Sequence, residues 1–253
     1  MDKLEEMIEQ INQERLFKPA VPQKYVCPKC KDSGFLYRID KDGYKINRKC
    51  DCVLIKNQQD MMRRSGISAG FLEKTFDNFN TMGNAQLSNA KAKAMRYAEN
   101  FRETEHGRHN SILFCGQVGS GKTHLGMAIC SSLMGKGIEV MYMAYRNAVT
   151  RIKQNIIDEE GYSREMNRYT GARVLYIDDL LKGKLTETDV NVLYEIVNYR
   201  YMNNMPIIIS TEKNQNDLLV FDEATGSRLL EMCRGNIIRL EGKELNYRLY
   251  QLG

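Results

Sequence analysis

Five short apolar runs punctuate the C-terminal part of the chain: Ser111–Cys115, Ile138–Ala144, Arg173–Ile177, Pro206–Ser210 and Asn236–Leu240. Each is too short for a helix and too continuous for a strand with one solvated face. Each therefore reads as a strand buried on both sides. Before and between the runs, apolar residues recur at helical spacing. Leu125, Ala128, Ile129 and Leu133 mark one face of a helix over His124–Met134, and Ala92, Met95, Ala98 and Phe101 mark another over Ser88–Glu105. The pattern also predicts helices over Asn147–Ile157, Ser163–Tyr169, Thr186–Met202 and Ala224–Cys233. The third of these opens on a capping pattern, Thr186-Glu-Thr-Asp189. Strands alternating with helices predict an α/β fold, a parallel sheet flanked by helices.

The first eighty or so residues follow a different pattern. Leu4, Met7, Ile8, Ile11 and Leu16 share one side of a helix predicted over residues 1–16, a face for either its own domain or a partner. Pro19 and Pro22 interrupt the chain, and then Cys27-Pro-Lys-Cys30 and Cys50-Asp-Cys52 flank a loop of nineteen residues. Phe35, Tyr37 and Ile39 alternate inside that loop beside Gly34 and Gly43, the pattern of a small β-hairpin. Four thiolates in two close pairs suit a closed, structural zinc site, and an iron–sulfur cluster takes the same donor set. A region so short buries little apolar surface, so a metal would supply much of its stability. The stretch 53–82 is a polar, basic connection through Arg63 and Arg64. Its Phe71, Phe76 and Phe79 need burial, and the edge of a ligand pocket is one place for them.

Composition narrows the picture. The chain has 253 residues, 42% of them hydrophobic, enough for a sizeable core. No run approaches the roughly 18 apolar residues of a membrane span, and the N-terminus lacks the pattern of a signal peptide. A cytoplasmic protein with no membrane partner is expected. Seven cysteines in a reducing compartment favour metal over disulfides. A net charge of +5 permits a nucleic-acid partner without requiring one. Arg146, Arg151 and Lys153, with Tyr145 beside them, offer single-stranded DNA both cations and a stacking ring, or else form a solvated helix face.

The chemistry centres on Gly116-Gln-Val-Gly119-Ser120-Gly121-Lys122-Thr123, which fits G-x-x-x-x-G-K-[ST] between a strand and a helix. Backbone N–H groups of such a loop wrap phosphates, and the helix points its positive end at them. Lys122 would reach the β- and γ-phosphates of ATP, and Thr123 would hold Mg²⁺. His124 follows directly, at the edge of the cofactor site, and suits a structural role as well. The run Val174–Ile177 ends in Asp178 and Asp179, at the sheet edge where ligands bind. Asp178 is the candidate Mg²⁺ carboxylate and Asp179 the candidate for orienting water. Strand 206–210 should lie beside the central strand, so Ser210, Thr211 and Glu212 compete to read the γ-phosphate. Arg228 and Arg248 are candidate phosphate cations, since a guanidinium fork stays charged. One acting across a subunit boundary would make self-association part of the site.

Taken together these motifs resemble the AAA+ bacterial replicative helicase loaders of the DnaC/DnaI type, in the version of Gram-positive bacteria and their phages. The resemblance spans nearly the whole chain. It is carried by Cys27-Pro-Lys-Cys30-Lys-Asp-Ser-Gly, Cys50-Asp-Cys52, Ser65-Gly-Ile, Thr75-Phe-Asp-Asn-Phe79, Gly116–Thr123 and Tyr176-Ile-Asp-Asp-Leu180. It continues in Ile196-Val-Asn-Tyr-Arg-Tyr201, Gly226-Ser-Arg-Leu-Leu-Glu-Met-Cys233 and Asn246-Tyr-Arg248. It implies an AAA+ P-loop NTPase preceded by a small zinc-binding module: residues 1–60 binding the hexameric helicase, 61–82 a linker at the pocket edge, and 83–253 the ATPase. It further implies Mg²⁺-dependent ATP hydrolysis, slow and coupled to assembly, contact with single-stranded DNA, and self-association in the ATP state. Lys122, Thr123 and Asp178 match the nucleotide and Mg²⁺ positions, Asp179 the adjacent acid, Arg228 the arginine finger and Arg248 a second sensor. Many members carry Ser-Asn where this chain has Ser210-Thr211-Glu212, a carboxylate that would repel a γ-phosphate unless it orients water or faces elsewhere. The chain ends soon after Arg248, so no full helical lid is expected.

Two other functions share the core. An IstB-type transposition-helper ATPase would act on duplex DNA and a transposase, though such proteins usually carry a different N-terminal region. An ATP-binding regulator of another helicase loader would keep the nucleotide as a structural ligand.

Overall fold

The computed structural model describes residues 25–39, 41, 43–50, 52–53 and 65–250. The helix expected at 1–16, and Arg63 and Arg64, lie outside the described residues. The chain divides into two compact units, Met1–Lys56 and Asn57–Gly253.

In the first unit, β1 (Phe35–Ile39) pairs antiparallel with β2 (Lys45–Lys49), with Phe35 opposite Lys49 and Ile39 opposite Lys45. The expected hairpin is present, and its base is closed by Cys50 N donating to Gly34 O at 2.8 Å. No residue of either strand is fully buried. Phe35, Tyr37 and Ile39 are all exposed. A two-stranded hairpin with no apolar core is marginal in water, so what holds this one must lie at its cysteines.

The second unit is built on five parallel strands in the order β4-β5-β6-β3-β7. They are β3 (Ile112–Gly116), β4 (Val140–Ala144), β5 (Val174–Asp178), β6 (Ile207–Thr211) and β7 (Ile237–Leu240). β6 lies directly beside β3, as the sequence required, with Phe114 opposite Ser210 and Cys115 opposite Thr211. Every residue of β5 and β6 is buried, because helices cover both faces. Alternate residues serve two cores. Ile112, Phe114, Tyr176 and Ile208 face the layer of α2 (Ala85–Glu99) and α4 (Lys122–Gly135). Leu113, Cys115, Leu175, Ile177, Ile207 and Ile209 face that of α5 (Tyr145–Gln154), α6 (Glu159–Thr170), α7 (Glu187–Met202) and α9 (Glu223–Met232).

Local chemistry sets the helix ends. A short α1 covers Ala69–Leu72. α2 starts three residues earlier than its apolar pattern, because the Asn84 side chain accepts from the N–H groups of Gln86 and Leu87. It also stops sooner, at Asn100, and α3 (Phe101–Thr104) begins a new turn that fully buries Phe101. Thr186 and Asp189 form a reciprocal capping box at the start of α7. The same device, Asn214 with Asp217, opens α8 (Gln215–Phe221), which the apolar pattern missed because Leu218 is its one buried residue.

One buried cation ties the layers together. Arg200 on α7 is fully buried, and Nη1 donates to the carbonyls of Tyr169, Thr170 and Ala172 at 2.8–3.1 Å. Nη2 donates to Pro206 O at 2.7 Å. The guanidinium thus satisfies the carbonyls that end α6 and precede β5 and β6. Burial lowers its pKa to about 9, still charged at neutral pH. No helix among the described residues is long and apolar enough to cross a membrane.

Candidate nucleotide-binding site

The glycine loop joins the end of β3 to the start of α4, at the carboxyl edge of the sheet. Gly121 has φ 87°, and a Cβ there would stand 2.6 Å from the Phe79 ring. Gly119, at φ 74°, lies against Asn246, and its carbonyl accepts from Tyr247 N at 3.1 Å. Only glycine serves at two such places, with a left-handed backbone and a neighbour where the side chain would be. Ser120 Oγ closes the loop on Gln117 O at 2.7 Å. Lys122 is buried, its Nζ donating to Gly116 O at 2.9 Å and Gln117 O at 2.5 Å, and burial lowers its pKa.

Asp178, at the end of β5, collects hydroxyl donors from four elements. Thr123 Oγ1 lies 2.9 Å and Tyr176 OH 2.8 Å from its Oδ1, which also accepts a short bond from Ser210 Oγ. Tyr142 OH reaches Oδ2 at 3.1 Å. Tyr176 gets there because Gly126 on α4 leaves room: a Cβ at that position would meet its hydroxyl at 2.5 Å. Burial, then the Asp178 charge, raises both tyrosine pKa values, so both hydroxyls keep their protons. Thr123 and Asp178 therefore present adjacent hard oxygens, a donor pair that suits Mg²⁺ with the balance from water and phosphate. The two tyrosines carried no sequence signal for this role.

After Asp178 the backbone turns sharply. Asp179 and Leu181 both have left-handed φ, 55° and 61°, rare for side chains of that kind. Ser210 accepts from Asp179 N, Leu180 N donates to Ser210 O, and Thr211 Oγ1 donates to Leu180 O, so β6 holds the turn. Ser210 and Thr211 are both buried in that work. Of the three sensor candidates, only Glu212 lines the cavity.

That cavity, of about 310 Å³, is lined by residues 118–124, Asp179, Lys182 and Glu212, and by Lys74, Asn78, Phe79, Asn80, Met82, Leu87, Leu245, Tyr247 and Arg248. The glycine loop with Lys122 offers a phosphate tail its donors, and Phe79, Met82, Leu87 and Leu245 offer apolar surface to a flat body. Phe79 is buried at the pocket edge, as expected for the 71–79 segment. His124 Nε2 secures that segment, lying 2.9 Å from Thr75 O and 3.0 Å from Asn78 Oδ1. Burial lowers the His124 pKa, and Lys74 and Lys91 add to the effect.

Not every candidate converges here. Arg228 lies on α9 outside the cavity lining, bonded to its own helix at Ala224 O and stacked 5.4 Å from Tyr194 and 5.3 Å from Tyr201. The cations of α5 are committed elsewhere. Arg146 and Lys153 reach the buried Asp189 at 3.6 and 3.0 Å, and Arg151 bonds Tyr169 OH and lies 3.6 Å from Glu165. Tyr145 is only 1% exposed. The stacking surface read from residues 145–153 is therefore corrected: the ring is core, and the cations fasten α5 to α6 and α7.

In the first unit, the Sγ atoms of Cys27, Cys30, Cys50 and Cys52 all lie within 4.8 Å of one another. Cys27 and Cys50 are 3.8 Å apart, and Cys30 and Cys52 3.4 Å. Tetrahedral thiolates at a Zn–S distance of about 2.3 Å stand about 3.8 Å apart, so the donor set fits zinc. Within the cluster a backbone N–H of Cys30 lowers the Cys27 thiol to about 7, while the side-chain bond with Cys30 raises that of Cys52.

Comparison with known proteins agrees with this geometry. The family model of the bacterial DnaA ATPase domain matches residues 71–233. The phage-like element PBSX protein XkdC of Bacillus subtilis (strain 168) is 34% identical over 235 residues, covering 89% of this chain and 87% of that protein. The replicative helicase loader DnaC of Escherichia coli (strain K12) is 28% identical over 180 residues, covering 70% of this chain and 69% of that protein. The crystal structure of the DnaC helicase loader shares the fold, with TM-score 0.55 and 22% identity over 68% of this chain and 99% of that one. The chain belongs to the bacterial DnaA ATPase-domain family and is homologous to the DnaC helicase loader.

Proposed function

We propose that this protein loads a replicative DNA helicase onto single-stranded DNA, with ATP binding and hydrolysis timing the assembly. The observation that carries the reading is the pairing, on one chain, of a four-cysteine hairpin with a P-loop cavity whose Mg²⁺ donors are already in contact. In this reading Lys122 turns from its loop carbonyls to the β- and γ-phosphates of ATP. Gly116, Gly119, Ser120 and Gly121 wrap the phosphates with backbone N–H groups. Thr123 and Asp178 hold Mg²⁺, and Asp179 orients the attacking water. Arg248, at the cavity rim, is the second sensor. Arg228 is not among the residues lining its own cavity, which supports its action as a finger on a neighbouring subunit, and so self-association in the ATP state. Residues 1–60, with Zn²⁺ on the four cysteines, are the helicase-binding module, 61–82 the linker, and the work is cytoplasmic.

The test is loading itself. The protein is mixed with its replicative helicase and a forked DNA whose single strand is coated with binding protein, and unwinding is followed. Unwinding should depend on the protein and on ATP, and Lys122→Ala should abolish it. Loading that survives Lys122→Ala would favour the regulator reading, with ATP a structural ligand.

A further inference from the structure

The carboxylate of Glu212 stands where an anion should be unwelcome. It lines the cavity together with Lys122 and the glycine loop, beside a second carboxylate, Asp179. Both are answered by one side chain. Lys182 Nζ lies 2.9 Å from Asp179 Oδ2 and 3.3 Å from Glu212 Oε1. The two left-handed residues, Asp179 and Leu181, turn the chain so that this lysine, four residues beyond Asp178, returns to the cavity. Leu180 and Leu181 are buried, which fixes the turn from below. Strained backbone held this firmly by its surroundings gathers at working sites.

We propose that Lys182 reads the terminal phosphate of ATP, and that Asp179 and Glu212 hold its ammonium in readiness beside the glycine loop. An exposed ion pair adds little stability by itself, so a structural role for so wet a cluster is weak. Its position is what distinguishes it. Asp179, Lys182 and Glu212 all line the cavity that holds the loop, and also a neighbouring cavity of about 490 Å³ that begins at Gly116 and Gln117. They stand at the junction of the two. Lys122 feels all three: the carboxylates favour its charge and Lys182 opposes it. The two ammonium groups thus share one electrostatic site. A γ-phosphate entering it carries more negative charge than either carboxylate and draws the Lys182 ammonium onto its oxygens. Asp179 is then released to face water. Glu212, the departure from Ser-Asn in this chain, is in this account the holder of a lysine.

The inference rests on the cavity being an ATP site, and not on helicase loading. Its test is the ratio of two affinities, measured by calorimetry on the full-length protein with Mg²⁺. The probes are ADP and the non-hydrolysable analogue AMPPCP. Lys182→Ala should weaken AMPPCP about tenfold, the size of one lost charge-assisted hydrogen bond, and move ADP by less than about twofold. Lys182→Arg should restore most of the loss. Combining Lys182→Ala with Glu212→Gln should also recover part of it, because a carboxylate without its cation is then gone. ADP affinity reports an intact fold in each variant. Equal weakening of both nucleotides, or of neither, would overturn the assignment. If the unsubstituted protein binds neither nucleotide, the reading of the cavity fails and this proposal with it.

Discussion

Thr123 Oγ1 donates to Asp178 Oδ1 at 2.9 Å, joining the first turn of α4 to the end of β5. Two elements 55 residues apart thus meet at one carboxylate, and Tyr142, Tyr176 and Ser210 fix its orientation. Two oxygen donors already in contact need little rearrangement to take the proposed Mg²⁺. Thr123→Ala should therefore lower Mg²⁺-supported ATP hydrolysis by about tenfold or more, with Thr123→Ser largely active. Tyr142→Phe tests orientation alone: it should raise the Mg²⁺ concentration needed for half-maximal rate while leaving the rate at saturating Mg²⁺ nearly unchanged. Identical Mg²⁺ titrations for wild type and Tyr142→Phe would remove the tyrosine from the site.

Arg200 should matter for folding and not for nucleotide. Its guanidinium meets the carbonyls at the end of α6 and before β6 with no acidic partner among them. Replacing it with Leu leaves those carbonyls buried and without that donor, a loss of about 3 kcal/mol or more. Lysine lacks the planar fork and should recover little. Urea unfolding checks this, as a lower midpoint at constant slope.

His124 gives the ATPase unit a pH dependence of defined sign. Its folded pKa is depressed from 6.5, first by burial. Both its partners, Thr75 O and Asn78 Oδ1, are acceptors, so the neutral ring donates from Nε2. Below 6.5 the unfolded chain gains a proton that the folded chain resists. Stability should fall as pH drops from about 6.5 toward 5, above the range where most carboxylates titrate. Thermal melts of His124→Gln should show a flatter slope across that window. A slope equal to that of wild type would place the pH dependence elsewhere.

The first unit should stand or fall with metal. Its hairpin has no buried strand residue, while Cys30 and Cys50 are buried together. Elemental analysis should find about one Zn²⁺ per chain, and Cys50→Ser should release it. A chelator should abolish amide protection over residues 25–53 and leave the second unit protected. Iron with visible charge-transfer absorption in anaerobically prepared protein would instead assign a cluster.

The core was legible because strands buried on both faces leave continuous apolar runs, and the glycine loop fixed which of them is central. Asp178 was legible from its place after such a run. Three things were not. Tyr142 and Tyr176 look like ordinary strand aromatics, and only the pairing of β4 with β5 and the gap at Gly126 bring their hydroxyls to a carboxylate. Lys182 follows two buried leucines in an irregular turn, whose left-handed residues are neither glycine nor asparagine and so leave no turn signature. The α5 cations look like a nucleic-acid surface until Asp189, more than thirty residues away, is seen to receive two of them. Charge visible in a sequence says nothing of partners distant along the chain.

If this ATPase acts on a replicative helicase, the two proteins should form a complex that size-exclusion chromatography with mass detection can weigh. The protein and its cognate helicase are run together, with and without ATP, beside a chain lacking residues 1–60. The full-length protein should co-elute with the helicase at a defined stoichiometry, and the shortened chain should not. Separate peaks for the full-length protein and the helicase, with ATP and without it, would mean that the protein does not act on this helicase.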